Sequence, residues 1–567
     1  MNIMINNVSN RSSKFFRENF EVIIVFVILL FFTIAKISNT SVITAPGVFF
    51  DELIYITTTR NIFYFSKLQY AVYPPLYSLI LSPALFFQEN WYQALLVINC
   101  VITSLTLLLI WTIVRKHVPP IVSILAILIA AFTPYQAIMP TYLLAENLST
   151  LIFLLLIYLN YFSFRSFKSN FLKGSVSALL LLTKYLFLPI IPVMFLLNFI
   201  REYRSKNGLR QLVLNSYIYC IGFIVTFMPW IIYVVLSGNS PLNAFGLEAV
   251  NKLSNSITIS SLFVWSIIYF SYFFLSIAPY LPFTFLSLLM IFNKKHFSVS
   301  TNLYLIAIVF ISAIHIAVAS HHSWSVDYNY PIPQYIIGRY LVHLPVLFLI
   351  GTFLVVNDLT KSKLVFSKKN ALLFIISILA SLLATIMSNL VLFHNLLWNL
   401  PSWFADITFN SVDVINFGKY SLVRFLIPII CFTPITLFFS IKKRYSYFLI
   451  FYPILIFNIY TYYLANQRIS VDIVRNGAYS RTLSEFLMKD ESTSINVVVS
   501  PELYPIFNNL SYGISFWNNK GKTISVYKDE FKQDRETYYY LTSKILDDDS
   551  IFSFSVGLKE YHVYSNK

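Results

Sequence analysis

A polytopic α-helical membrane protein of about 13 transmembrane helices, followed by a small extracytoplasmic α/β domain, is the fold class that three features of the sequence predict. Of 567 residues, 57% are hydrophobic and only 12% are charged, whereas a soluble protein averages about a quarter charged. Mean hydropathy is +0.68, and it is concentrated in apolar runs long enough to cross roughly 30 Å of hydrocarbon. The stretch 467–567 contains no such run and reads as polar. This balance excludes a soluble enzyme, a fibrous protein and a disordered chain.

The first run, 20–37, follows Arg11, Lys14 and Arg17 as a signal peptide would. No small-residue cleavage site follows it cleanly, so it is read as a retained first helix. Further spans are expected at 91–114, 119–139 and 141–162. The run 171–200 is too long for one short helix and is interrupted by Thr183-Lys184, so it is divided into two helices meeting at the outer surface. Then come 212–236, 260–292, 303–319, 337–356, 371–393, 422–440 and 445–464. Run 260–292 exceeds a plain span, so it either tilts or projects in part. The membrane unit thus covers 1–466 and the polar α/β unit 467–567. In the latter, 482–489 looks helical, 495–500 resembles a strand, and Pro501 suits the first turn of a second helix. The segments 523–527, 538–542 and 561–564 look like further strands.

The formal charge of +16 invites a nucleic-acid reading, so its placement matters. The tail has 12 basic and 13 acidic residues, which leaves 29 basic and 12 acidic residues in 1–466. All of the excess lies in the membrane unit, and there is no basic soluble face for nucleic acid. With the N-terminus in the cytoplasm, 21 of those 29 fall in cytoplasmic segments, among them Arg115, Lys116, Arg201, Lys361 and Lys442, as the positive-inside rule requires. An odd helix number then places the tail outside the cytoplasm. Eight basic residues remain elsewhere: Lys36, Arg60, Lys67, Lys184, Lys252, Arg339, Lys419 and Arg424. Cys100, Cys220 and Cys431 lie far apart in apolar runs and signal neither a disulfide framework nor a metal cluster. There is no internal repeat, glycine-rich phosphate loop or low-complexity tract.

Candidate chemistry gathers at the outer ends of the spans. Asp51 and Glu52 follow Phe49-Phe50 and a Pro46-Gly47 turn in the first outer loop. A partly desolvated carboxylate at the membrane edge is suited to take a proton, although an acidic dipeptide can also be simply solvated. Arg60 and the stiff Tyr73-Pro74-Pro75 segment lie close by in sequence. Glu146 stands about one turn into a span, where an ionisable group faces the protein interior or a water-filled cavity unless it reaches the interface. Lys184 at the helix break and Arg339 in Gly338-Arg339-Tyr340-Leu341 run against the charge bias, and a lipid-linked phosphate would account for both. Snorkelling to headgroups is the alternative. His321-His322, placed in a loop, favours solvated or hydrogen-bonded side chains over a metal or phosphate contact.

These motifs, in this order, resemble the GT-C superfamily of polyprenol-dependent glycosyltransferases. The carriers are Phe50-Asp51-Glu52-Leu53-Ile54-Tyr55, Tyr73-Pro74-Pro75, Ala145-Glu146-Asn147, Leu182-Thr183-Lys184 and Gly338-Arg339-Tyr340-Leu341. The nearest likeness is to protein O-mannosyltransferases and lipid A aminoarabinose transferases, over roughly 15–465. The Trp-Trp-Asp motif of the oligosaccharyltransferase catalytic subunit is missing. The resemblance implies a polyprenyl- or dolichyl-phosphate-linked sugar as donor and inverting transfer to a hydroxyl of a protein, lipid or cell-envelope glycan. Asp51 would be the base, with Glu52 beside it. Arg339, then Lys184 and Arg60, would bind the donor phosphate. Glu146, Tyr55, Tyr340, His321 and His322 would position acceptor or site. No metal ligand set is identified, and a divalent cation stays open. Two other readings are a flippase of lipid-linked sugars and an O-antigen polymerase or ligase. A transport pathway predicts charges spread through helix centres, and here they gather at outer ends.

Overall fold

The computed structural model describes residues 2–43, 46, 49–68, 73–162, 166–203, 208–247, 259–290, 297–324, 338–361, 368–393, 426, 446–468, 482–490, 494–501, 523–528, 539–542, 552–556 and 559–565. Sixteen α-helices are described: α1 (Asn2–Thr40), α2 (Phe49–Phe63), α3 (Leu76–Leu81), α4 (Trp91–Arg115), α5 (Pro120–Ala131), α6 (Pro134–Ile138), α7 (Glu146–Phe162) and α8 (Phe167–Thr183). They continue with α9 (Ile190–Tyr203), α10 (Leu209–Leu236), α11 (Ile259–Ser276), α12 (Leu281–Met290), α13 (Val299–Trp324), α14 (Leu344–Lys361), α15 (Lys368–Phe393) and α16 (Ser446–Arg468). This is a multi-pass membrane protein. Among the described residues, six helices are long and apolar enough to cross a bilayer, or eight if two bent pairs each count as one span. Apart from residue 426, the predicted span 422–440 lies outside the described residues.

Prolines decide where the apolar runs break. The run predicted as one span at 119–139 is α5 followed by Pro134–Thr141, bent by 61°. Pro134 opens α6 without an N–H to offer, so the α5 ladder stops before it. The overlong run at 260–292 neither tilts nor projects as one rod. It is α11 and α12, bent by 69° around a 3-10 turn, Ala278–Tyr280, that contains Pro279. The predicted division of 171–200 is present: α8 ends at Thr183, Lys184 is extended, a 3-10 turn spans Tyr185–Phe187, and α9 begins at Ile190.

Burial ranks the helices from lipid to core. In α1 only 22% of the apolar window is buried, and Phe26, Leu30, Phe31 and Ile34 are exposed as a lipid face would be. By contrast, 94% of the window Gly338–Lys361 is buried, so α14 is a core helix. Helices α8 and α10 cross closely because Gly174 faces the Tyr219 carbonyl and Gly222 faces the Phe171 carbonyl. A Cβ at either position would strike backbone.

The helix ends sort as the charge bias predicts. At one end Lys116 donates to the Phe162 carbonyl at 2.9 Å, Lys361 to the His117 carbonyl at 3.2 Å, and Arg115 pairs with Glu21 at 3.2 Å. Arg201 donates to the Asn160 carbonyl at the same end. These residues, separated widely in sequence, are the ones assigned to a single side from charge alone.

The tail forms a five-stranded sheet of β1 (Ser494–Val499), β2 (Thr523–Lys528), β3 (Tyr539–Thr542), β4 (Phe552–Val556) and β5 (Lys559–Ser565), ordered β2-β1-β3-β5-β4. Strand β1 is parallel to both β2 and β3, whereas β5 runs antiparallel to β3 and β4. Four strands match the expectation; β4 was not anticipated, its Phe-Ser-Phe-Ser alternation being short and adjacent to β5. Residues 482–487 are helical, and any helix beyond Pro501 lies outside the described residues.

Candidate active site

Four charged side chains from four separate elements meet at one end of the helical bundle. Asp51 comes from the first turn of α2, Glu146 from the start of α7, Lys184 from the break after α8, and Arg339 from a 3-10 turn, Gly338–Leu341, that leads into α14. Arg339 Nη1 donates to Asp51 Oδ2, and Lys184 Nζ donates to Glu146 Oε1. Arg339 Nε lies 3.8 Å from Glu146 Oε1, which joins the two pairs into one network. Glu146 is 2% exposed, while Asp51, Arg339 and Lys184 retain 14–15%. The network is therefore largely buried, with Glu146 the most enclosed of the four.

Local structure fixes each member. The sequence placed Asp51 and Glu52 in a loop, but they occupy the first turn of α2. Carboxylates are favoured there because the unpaired N–H groups of a helix start carry partial positive charge. The two acids then part company. Asp51 faces the cations, whereas Glu52 is fully buried and accepts a 2.7 Å hydrogen bond from the Leu143 N–H. Leu143 belongs to a buried turn whose other backbone groups are also satisfied by side chains. Asn99 and Asn147 donate to the Tyr142 carbonyl at 2.8 and 3.0 Å, and Asn147 also reaches the Met139 carbonyl at 3.0 Å. Such bonds allow irregular backbone to be buried at little cost. They also move the helix start: Glu146 is not one turn inside a helix, as the sequence suggested, but at the first residue of α7. Its carboxylate thus sits at a second positive helix terminus.

Aromatic rings line the charges. The Tyr340 ring lies 5.0 Å from Lys184 Nζ and 5.8 Å from the Arg339 guanidinium carbon, within cation–π range. Tyr55, on α2, packs edge-on against Tyr73 and Tyr77 at 6.0 and 5.1 Å. Burial, followed by the neighbouring charges of Glu146 and Asp51, holds the Tyr55 phenol well above its ordinary pKa.

Of the residues singled out from sequence, the fold brings together Asp51, Glu146, Lys184, Arg339, Tyr55 and Tyr340. Arg60 is elsewhere: it lies nine residues further along α2, roughly 13 Å of helix, and its guanidinium stacks 4.7 Å from the Trp91 ring centroid. His321 and His322 belong to the last turn of α13 rather than to a loop; His321 is half-buried, and the His322 side chain lies outside the described residues. No group of three His, Cys, Asp or Glu residues comes together among the described residues. Sequence reading missed Asn99, which with the motif residue Asn147 shapes the turn before Glu146, and also Thr150, His315 and His343 beneath the network. Polar and ionisable groups inside apolar runs are the signal that points to them.

By sequence the chain matches no protein-family model and no curated protein. Its fold matches the crystal structure of ArnT from Cupriavidus metallidurans bound to undecaprenyl phosphate, at 12% identity and a TM-score of 0.55, over 97% of this chain and 98% of that one. The apo form of that ArnT superposes with a TM-score of 0.49 at 12% identity, over 96% and 98% of the two chains. Full-length correspondence at that identity is a likeness of fold.

Proposed function

We propose that this chain is an inverting glycosyltransferase that moves a sugar from a polyprenyl phosphate to an acceptor hydroxyl of a protein, lipid or cell-envelope glycan. The observation that carries the reading is the convergence of Asp51, Glu146, Lys184 and Arg339 at one end of the bundle. The structure of the similar ArnT contains undecaprenyl phosphate, and a two-cation site suits that kind of headgroup. In this reading 1–466 form the membrane catalytic unit, 467–567 form an extracytoplasmic domain, and the N-terminus is cytoplasmic.

The network suggests an order of events. Asp51 takes the proton of the acceptor hydroxyl as the acceptor oxygen bonds to the anomeric carbon. The bond from that carbon to the phosphate oxygen breaks, and its electron pair leaves with the lipid phosphate. Once Asp51 is protonated its pairing with Arg339 weakens, and the guanidinium is released toward the phosphate just as that phosphate gains charge. Stabilising charge that appears only in the transition state is what raises turnover. Lys184, shared with Glu146, supplies the second cation. Glu52 shapes the turn that presents Glu146 and does not touch the acceptor. Arg60, stacked on Trp91, is assigned no phosphate contact.

In membranes supplied with polyprenyl-phosphate sugar, Asp51→Asn should fold normally and lose transfer by at least ~10²-fold. Near-normal turnover would sink the base assignment. Mass spectrometry of envelope glycans and glycolipids in a deletion strain would identify sugar and acceptor.

A further inference from the structure

Beneath the ion network lies a polar link between two of its arms. His343 follows Arg339 by four residues, and Thr150 follows Glu146 by four residues on α7, one helical turn. Thr150 Oγ1 is 2.7 Å from the Glu146 carbonyl oxygen and 2.6 Å from His343 Nδ1. A hydroxyl has one proton, and a carbonyl oxygen can only accept. The Thr150 proton therefore goes to the Glu146 carbonyl, and Thr150 Oγ1 must accept from His343. That places a proton on His343 Nδ1. His315 reaches the same state independently, since its Nδ1 lies 2.9 Å from the Ile311 carbonyl.

The two imidazoles are each 1% exposed and their ring centroids are 6.0 Å apart. Phe187, three residues beyond Lys184, packs 5.7 Å from His315 and 5.1 Å from His343, and Phe153 completes the cluster. Among the described residues, neither Nε2 has a hydrogen-bond partner. A buried polar atom left unpaired costs free energy, and among the described residues the bond through Nδ1 is the polar contact that orients the His343 ring. A threonine in a helix commonly donates to the carbonyl one turn back. The unusual part is the second bond, arriving from the segment that carries Arg339.

We propose that His343 is a positioning residue for the transfer reaction, which through Thr150 ties the turn bearing Arg339 to the first turn of the helix bearing Glu146. The inference rests on the sugar-transfer reading of the site. The link fixes the spacing between Arg339 and the Glu146-bound Lys184, which must both reach one phosphate. Misplacement by about 1 Å can cost on the order of 10²-fold in rate.

The test uses the full chain, purified in detergent, with a polyprenyl-phosphate sugar as donor. Thr150→Val and His343→Leu should each lower kcat about tenfold, with donor KM changed by less than about threefold, in the range of coupled hydrogen-bond partners. Thr150→Ser keeps the hydroxyl, and His343→Asn keeps an N–H close to Nδ1, so both should return to within about threefold of wild type. The double variant Thr150→Val/His343→Leu should be no worse than the poorer single variant. Independent effects that multiply in the double variant, or His343→Asn as impaired as His343→Leu at unchanged thermal stability, would overturn the link. Nitrogen NMR of histidine-labelled protein gives a readout apart from turnover: His343 Nδ1 should be protonated and should shift on Thr150→Val. A wild-type chain that transfers no sugar would defeat the reaction, whereas an unmoved Nδ1 signal would defeat the link itself.

Discussion

Asp51 and Glu52 are neighbours in sequence and perform unlike tasks, because successive residues on a helix point about 100° apart. One pairs with Arg339; the other is sealed against a backbone N–H. Residue type alone cannot make that distinction, and the same holds for the basic residues. Arg60, Lys184 and Arg339 share an apparent outer-end placement, yet only two of them reach the network. The consequence is a sharp contrast between variants. Arg339→Ala should raise donor KM and lower kcat, while Arg60→Ala should transfer sugar at close to the wild-type rate. A donor KM and kcat both untouched by Arg339→Ala would remove it from the phosphate site. Lys36, another cation that breaks the charge bias, is accounted for differently. It is buried and donates to Thr103, Ser104 and Gln136 at 3.2, 3.3 and 2.5 Å, which uses all three of its protons.

Helices in this bundle are cut where prolines and side-chain-bonded turns allow it, and the site is assembled from those cuts. The break at Lys184 was legible because a Thr-Lys pair interrupts an otherwise apolar run. The bends before Pro134 and around Pro279 were not read as breaks, since hydropathy sums over a window and is blind to a missing N–H. The start of α7 was misplaced for a related reason: the bonds that hold its preceding turn come from Asn99 and Glu52, both remote in sequence. At this scale the crossing of α8 and α10 makes the clearest forecast. Gly222→Val must push α8 away from α10, because the new side chain meets the Phe171 backbone. Overpacking of this kind typically costs about 1–3 kcal/mol. Thermal unfolding of the detergent-solubilised protein should show a lowered Tm, and an unchanged Tm would mean that the two helices do not cross so closely.

For the molecule as a whole, its character as a multi-pass membrane protein was the most legible property. Charge counts on short connecting segments report on insertion energetics, which act on local sequence and need no tertiary contacts. The residues they assigned to one side do meet at one end of the bundle. A reporter enzyme fused after Lys567 should accordingly be active only outside the cytoplasm, and cytoplasmic activity would reverse the proposed orientation. The tail was also readable in outline, since alternating and apolar runs mark strands locally. Its strand order was not, because pairing β1 between β2 and β3 depends on contacts between segments far apart in the chain. The sequence by itself determined that this protein lives in a bilayer and marked Asp51, Glu146, Lys184 and Arg339 as unusual charges. Only the tertiary structure decided which of those charges share a site, that Asp51 and not Glu52 faces the cations, and that His343 is bonded to Thr150 beneath them. The physical reason is one of range. Hydropathy and charge bias act residue by residue along the chain, whereas a pairing such as Arg339 with Asp51 exists only after four helix ends have been packed into contact.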